Sequence, residues 1–565
     1  VRLKLILILF LLPLLLGAQT TWYVATTGND VTGDGTLGNP WLTVKKASTE
    51  VAVFGDIIYV KPGTYTESQR TNLALGVSLE GEYTPTTIIN YTYNAASFSD
   101  GAIYAVSGSV VNGNQHISNL TITGSNYTAS RGIYTRYRNN FHIYNCTIQN
   151  FDKSGINAYS EIDWVTPPAT YTTGLKIYNC DIDNNTESPD NGGECNLRWS
   201  GHSGYEIYSN TISSLVRVTP RSVYSSQVKN GSFHDNIINT RESISGEWLF
   251  ACELFNNRGG IEIYDNQFIG GGTLDIAGHT IEKGIYSYAV SIHDNSFVLS
   301  TLVPYNSKPT VAITIESWVS IESVYIYRNY IKNFPWGINV TMGTYGEWGG
   351  SGTIDDLFIY TNIIENSGSS DTSWASFGIG IIYQATGITR DNINIWNNTI
   401  TGNQTYSYRG IYLSIDGTNT NINFQNNIIQ GFDLGIRVED ESAGNTGSVD
   451  ELHIDYNLFH DNGNSNLVSF EAGISITNYT NTGHIIDDPE FVSAIDFHLS
   501  SDLSPAYMAG MYVDVDTDYD GDVYFNPPSI GAYEYGSVPS GPTVEYKSIF
   551  IDGKAVIKNG KIIIE

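Results

Sequence analysis

The chain has 565 residues, 41% of them hydrophobic and 15% charged, so it holds ample material for a large core and lacks the makeup of a disordered protein. Lys+Arg number 28 against 58 Asp+Glu, a formal net charge of -30. A field of that sign repels phosphate backbones and anionic lipid, which weighs against nucleic acid and membrane surfaces as partners; it also disfavours an acidic polysaccharide unless Ca²⁺ or a local basic patch intervenes.

The first residues present Arg2 and Lys4, an apolar run over residues 5–16 and the small pair Gly17-Ala18. This is the pattern of a secretory signal peptide cleaved near Ala18, and the run is shorter than the ~18 to 20 residues a spanning helix needs. A protein secreted or held at the cell surface, without membrane insertion, is expected. Four cysteines in a secreted chain of this size are too few for a disulfide scaffold.

Further along, a short motif recurs: apolar, any, any, Asn, any, apolar. It reads IYSNTI at Asn210, FHDNII at Asn236, IYDNQF at Asn266, IHDNSF at Asn295, IYRNYI at Asn329, IYTNII at Asn362, IWNNTI at Asn398, FQNNII at Asn427 and IDYNLF at Asn457. Spacings run from 26 (Asn210 to Asn236) to 36 (Asn362 to Asn398), too irregular for a helical repeat. Upstream the same frame holds Leu120, Cys146 and Cys180 in the Asn place, so about twelve units are present. Each unit alternates Ile, Val and Phe over four or five residues bounded by Gly, Asn, Asp and Ser, and a second short strand often opens with Gly-Ile, as in RGIYLSI from Arg409. One unit is one turn of a coil whose inward residues stack into a continuous core. The Asn amide donates and accepts at once, so the column is predicted to bridge neighbouring coils as a ladder. Cys146 and Cys180, in that column, are expected as a thiol stack and not a disulfide.

These strands and this column resemble the pectate-lyase-like superfamily of right-handed parallel β-helices. Residues 23–68 are similar to its N-terminal cap and first turn, which implies a short amphipathic helix over residues 42–51, and residues 498–536 are similar to its closing segment. The implied fold is all-β: a solenoid of about twelve or more coils with a helical N-terminal cap and a small C-terminal β appendage. The expected organisation is signal peptide 1–18, cap and first coil 19–70, parallel β-helix 71–490, closing segment 491–536, and linker with a short β appendage 537–565, where Asp552-Gly553 and Asn559-Gly560 mark hairpin turns. The superfamily includes lyases, hydrolases, epimerases, adhesins and phage spikes, so fold alone does not select an activity.

The resemblance places sites along the outer face of the strand that opens Gly-Ile. With that Ile inward, two outward columns run through Asn157 and Tyr159, Asn196 and Arg198, Tyr224 and Ser226, Glu253 and Phe255, Asp275 and Ala277, Thr314 and Glu316, then Asn339 and Thr341. Glu253 and Asp275 fall in one column on consecutive coils, about 4.8 Å apart, where one pKa should rise and the pair can share a proton or a cation. Glu316 lies one coil later, Arg198 two coils earlier, and His279 follows Asp275. Trp199, Trp248 and Trp318, with Tyr159 and Tyr224, are candidate stacking platforms for sugar rings. Two chemistries fit. In a glycoside hydrolase, one of Glu253, Asp275 and Glu316 protonates the leaving oxygen while another activates water or attacks carbon. In a polysaccharide lyase, Ca²⁺ on Glu253 and Asp275 acidifies the proton beside a uronate carboxylate, with Arg198 or His279 as base. The alternative is a non-catalytic surface protein that binds glycan or acts as an adhesin or spike. Separately, Asp516, Asp518 and Asp520 with Gly521 resemble the start of a calcium loop, although Pro527 stands where its bidentate Glu belongs.

Overall fold

The computed structural model describes residues 19–536, except 96, 126–128, 161–165, 184, 186–194, 215–220, 243–248, 282–287, 304–309, 343–351, 369–375, 384–387, 404–406, 416, 441–446 and 464–466, together with strands between 549 and 562. The expected signal peptide and Trp248 lie outside the described residues. The chain divides into two compact units, Val1–Asp163 with Pro167–Thr219, and Trp164–Thr166 with Pro220–Glu565. Each is built as right-handed parallel β-helix. No helix among the described residues is long and apolar enough to cross a membrane.

In the first unit the helix Val44–Glu50 precedes the coils. Thr43 caps it by accepting from the Lys46 amide, and Val44, Ala47 and Ser48 are its buried residues. Glu67 accepts from the Val44 amide at 2.6 Å. Gly63–Glu67, Thr87–Tyr91, Thr121–Thr123, Thr147–Gln149, Asp181–Asp183 and Thr211–Ser213 then stack in parallel, coil on coil.

In the second unit each coil contributes strands to three such stacks. One runs from Ile237–Asn239 through Gln267–Ile269 to Ile485–Ile486. A second runs from Gly231–His234 to Ser475–Thr482. The third, the expected site face, runs from Arg221–Ser226 through Phe250–Phe255, Thr273–Ile281, Val311–Tyr327, Trp336–Met342, Phe377–Tyr383, Arg409–Ile415 and Leu434–Asp440 to Val468–Phe470. Inward residues such as Leu274, Ile276, Ile313, Ile315 and Ile338 are fully buried. Stacked apolar columns of this kind supply the hydrophobic stabilisation, coil by coil.

The ladder holds. Asn266, Asn295, Asn329, Asn362, Asn398 and Asn427 each donate from both main-chain N and side-chain Nδ2 to Oδ1 of the next, at 2.9 to 3.0 Å or 3.1 Å. Each Nδ2 also donates to two carbonyls, for Asn266 those of Phe233 and Tyr264. The ladder ends at Asn457, whose amide meets His484 Nδ1. The residue before each ladder position is left-handed, with φ of 54° at Asp265, 56° at Asp294, 50° at Arg328 and 51° at Thr361. The ladder therefore pins a corner that non-glycine residues adopt at a cost. In the first unit Cys146 Sγ points to the carbonyls of Ile117 and Tyr144, and Cys180 Sγ to those of Ile143 and Tyr178. These are the carbonyl positions an Asn amide serves elsewhere. None of the four cysteines is in a disulfide, and all four are buried.

The closing segment lies along the outside of the second unit, not across its end. Leu499, Ala506 and Ile530 pack on Ile428 and Leu458, and Asn426 exchanges hydrogen bonds with the Met511 main chain at 2.7 and 2.9 Å. Beyond it, Ile549–Ile551, Lys554–Lys558 and Lys561–Ile562 pair antiparallel in sequence order.

Candidate functional site

Along the third stack of the second unit, the pleat turns Tyr224, Glu253, Asp275, Thr314 and Asn339 outward in one column. Glu253 stands directly beside Asp275, and Glu316 beside Ala277 on the next coil. The expected neighbours are brought together even though no Gly-Ile marks either strand. The face is far less open than a surface column: Tyr224, Glu253, Asp275, Thr314 and Asn339 are 3%, 5%, 3%, 8% and 4% exposed. Glu316, Phe255 and Trp318 are its half-buried members, and they form its solvent edge with Arg221.

Arg221 pairs through Nε with Glu253 Oε2 and sits 5.9 Å from the Tyr224 ring centroid. Burial, then the charges of Glu316 and Glu253, push the Asp275 carboxyl well above the usual carboxylate range, with Arg221 opposing. Burial and Glu253 also raise Glu316. Both Asp275 and Glu316 are thereby biased toward their protonated forms. Asp275 Oδ1, Asn339 Oδ1 and Thr341 Oγ1 are buried on this face with no hydrogen-bond partner among the described residues. Natural interiors rarely leave such atoms unpaired unless a ligand or water completes them.

The protonated form of Asp275 has a consequence for stability. A carboxyl whose pKa rises on folding stabilises the protein below its unfolded value, and that contribution is lost as pH climbs through the folded value. Asp275→Asn fixes the uncharged form. Its urea midpoint is expected to exceed the parent's at about pH 8, and the advantage should disappear at about pH 4.

Several expectations are corrected. Trp199 is 0% exposed and packs on Tyr205 at 5.5 Å, so it offers no face to a sugar. It is register partner to the inward Ala158, whose small side chain leaves room for the indole. Trp199→Ala is expected to cost the first unit about 3–5 kcal/mol in urea unfolding and to leave glycan binding unchanged. Arg198 pairs with Asn157, not Tyr159, one step from its expected column. In the first unit its guanidinium lies over Phe98 at 4.7 Å and Tyr159 at 5.5 Å, and its Nε donates to Ser200. Tyr159 is half-buried there, edge-on to Phe98 at 5.7 Å. Trp318 meets Phe255 edge to face at 5.6 Å. His279 falls within Thr273–Ile281, but its side chain lies outside the described residues.

The calcium loop is not formed. Asp518 Oδ1 accepts the amides of Asp520 and Asp522, and its Oδ2 accepts that of Glu534. Burial outweighs those amides and raises its carboxyl to about 7. Asp520 binds His498 Nε2 at 2.9 Å, and Asp496 takes Nδ1 at 2.6 Å. Burial alone would lower that imidazole, but the two carboxylates raise it to about 9. Asp516, Asp518 and Asp520 do not converge, and among the described residues no three His, Cys, Asp or Glu could hold a metal. The loop's acidic spacing serves its own backbone and an ion pair.

Further along the same face lies a group the sequence reading left out. Arg409, Arg437 and Tyr412 converge on Glu439, at 2.8, 2.7 and 2.8 Å. Tyr412 packs with Phe377 and Ile382, and Trp336 lies against them. Gly380 sits in the column between Asn339 and Tyr412, and a Cβ there would fall 2.5 Å from the Phe377 ring. Extending the Gly-Ile alignment through RGIYLSI and LGIRVED would have found these residues.

No protein-family model matches the chain, and no curated protein matches it. Among solved structures it is similar to XylC in complex with xylose, at 12% identity and a TM-score of 0.36 over 91% of this chain and 98% of that one. It is similar to DFA-IIIase from Arthrobacter chlorophenolicus A6, without its lid and in complex with GF2, at 14% identity and a TM-score of 0.37 over 63% and 98%. It is also similar to the A-module of the mannuronan C-5 epimerase AlgE4 of Azotobacter vinelandii, at 13% identity and a TM-score of 0.29 over 76% and 91%. At these scores the superpositions decide neither relationship nor chemistry. The stacked parallel strands, with the right-handed crossovers such stacks require, make the chain a right-handed parallel β-helix protein.

Proposed function

We propose that the second unit is a secreted carbohydrate-active enzyme that hydrolyses a glycosidic bond on the face carrying Glu253, Asp275 and Glu316. The observation that carries this reading is the run of buried oxygens without a partner among the described residues, Asp275 Oδ1, Asn339 Oδ1 and Thr341 Oγ1, beside carboxyls raised toward their protonated forms. Such atoms await hydroxyl donors, which a sugar supplies in rows. Glu316, raised and half-buried, donates its proton to the leaving oxygen; Glu253, paired with Arg221, attacks the sugar carbon or activates water. Asp275 stays neutral and hydrogen-bonds substrate. Phe255 and Trp318 supply apolar surface for a ring face.

A calcium-assisted lyase fits the residues less well, because no described donor set would hold the metal. The helix Val44–Glu50 serves as the N-terminal cap of the first unit. A neutral polysaccharide is the favoured substrate class, given the net charge of -30.

The test is incubation of the purified protein with a panel of neutral and uronate polysaccharides, with and without Ca²⁺. New reducing ends without unsaturated products are expected. Unsaturated products would replace this reading with a lyase. Binding with no product under any condition would replace it with a glycan-binding, adhesin or spike-like surface protein.

A further inference from the structure

The last coil of the second unit exposes what every earlier coil buries. Leu452 and Ile422 are fully buried in the column that ends at Tyr479, which is 36% exposed. Phe459 is 1% exposed and its partner Ile486 is 72% exposed. Val468 and Phe470, aligned with the fully buried Ile436 and Val438, are only half-buried. Among the described residues the terminal strand Ser475–Thr482 has a partner on one side, Ser448–Asp455, and it reads SITNYTNT. It carries no charge, proline or bulge, the devices that blunt an open strand edge. The closing segment does not cover it, since that segment packs on Ile428 and Leu458 along the side.

We propose that the C-terminal strands between Ile549 and Ile562 dock on this open end and cover the strand Ser475–Thr482. Two observations select that occupant. Tyr535 packs on the cluster containing Leu458, and Leu458 is register partner to Ile485 of the last coil. The tether therefore departs one coil from the open edge, and the segment 537–548 reaches roughly 40 Å when extended. Charge agrees. No Lys or Arg occurs between Arg437 and Lys547, a stretch that includes Asp461, Glu471, Asp487, Asp488 and Glu490 near the end of the solenoid. After it come Lys547, Lys554, Lys558 and Lys561 against only Asp552 and Glu565. A net-positive tail on so acidic a body is drawn back to it, and a short tether raises its local concentration to the millimolar range.

Hydrogen exchange of the full chain tests this against the variant K547E/K554E/K558E/K561E. The amides of Ser475–Thr482 are expected to exchange roughly tenfold faster in the variant, while those of Thr389–Trp396 exchange equally in both and report an intact solenoid. A second variant pair, Tyr479→Cys with Val556→Cys, is expected to form an intrachain disulfide on oxidation. Equal exchange of Ser475–Thr482 in both chains would overturn the proposal. So would protection that grows with protein concentration, or disulfides formed only between chains, because a second copy would then be the occupant.

Discussion

Asn329→Ala is expected to lower the stability of the second unit by roughly 2–4 kcal/mol. The side chain serves five buried groups. Its Oδ1 accepts from Asn295 N and Nδ2, and its Nδ2 donates to the carbonyls of Ile292 and Tyr327 and to Asn362 Oδ1. Removing it leaves the Asn295 main-chain N–H without its acceptor and takes a donor from the Ile292 and Tyr327 carbonyls, at about 1–3 kcal/mol for each group left unpaired. Asn295 Nδ2 keeps the carbonyls of Ile263 and His293, and the Tyr327 carbonyl keeps the Asp294 N–H. Arg328 beside it would lose the anchor of its left-handed corner, at φ of 50°. Asn329→Cys is expected to cost about half as much, because the thiols of Cys146 and Cys180 already reach the corresponding carbonyls in the first unit. Urea midpoints of the three proteins check the order parent, Cys, Ala. An Ala variant as stable as the parent would remove the ladder from the account of the fold.

Glu316→Gln is expected to lower kcat about 10²- to 10⁴-fold on whichever polysaccharide yields reducing ends, with KM little changed. An activated leaving group that needs no proton should restore most of the loss, because the variant lacks only the acid. Glu253→Gln should be at least as damaging and should not be restored in that way, since it removes the group that attacks or activates water. It also removes the ion pair with Arg221, so its folding must be checked by circular dichroism. Asp275→Asn is expected to keep most of its activity, as the amide imitates a carboxyl that is already uncharged. An inactive Asp275→Asn beside an active Glu316→Gln would exchange their roles.

The ladder was legible because one chemical requirement recurs: a side chain that donates and accepts at the same place in every coil. Its spacing of 26 to 36 residues hid nothing, since the loops take up the difference. The pairing of Glu253 with Asp275 was legible for a related reason, as strand parity and coil order sufficed without a Gly-Ile marker. Arg198 was misplaced because ECNLRWS has no glycine to set its phase, and a two-residue slip keeps the face while changing the neighbour. Trp199 was misjudged despite an available signal: it adjoins the outward Arg198 and must therefore face inward. Arg221 was invisible because its register partner is Phe250, outside the two columns read from the sequence, and it reaches Glu253 along its own long side chain. The aspartates at 516, 518 and 520 matched a metal spacing, yet spacing says nothing of backbone amides that claim the same oxygens.

The left-handed corners carry one more implication. Because Asp265, Asp294, Arg328 and Thr361 each turn the chain at the same point of the circuit, every lap is re-zeroed there, and errors of length picked up between corners are not passed on. A scan of insertions along the gene should show a sawtooth: tolerance across the connecting stretches, and sharp intolerance at the two residues of each corner. Such a protein can enlarge or exchange the stretches above its working face without resetting the phase of the laps that follow.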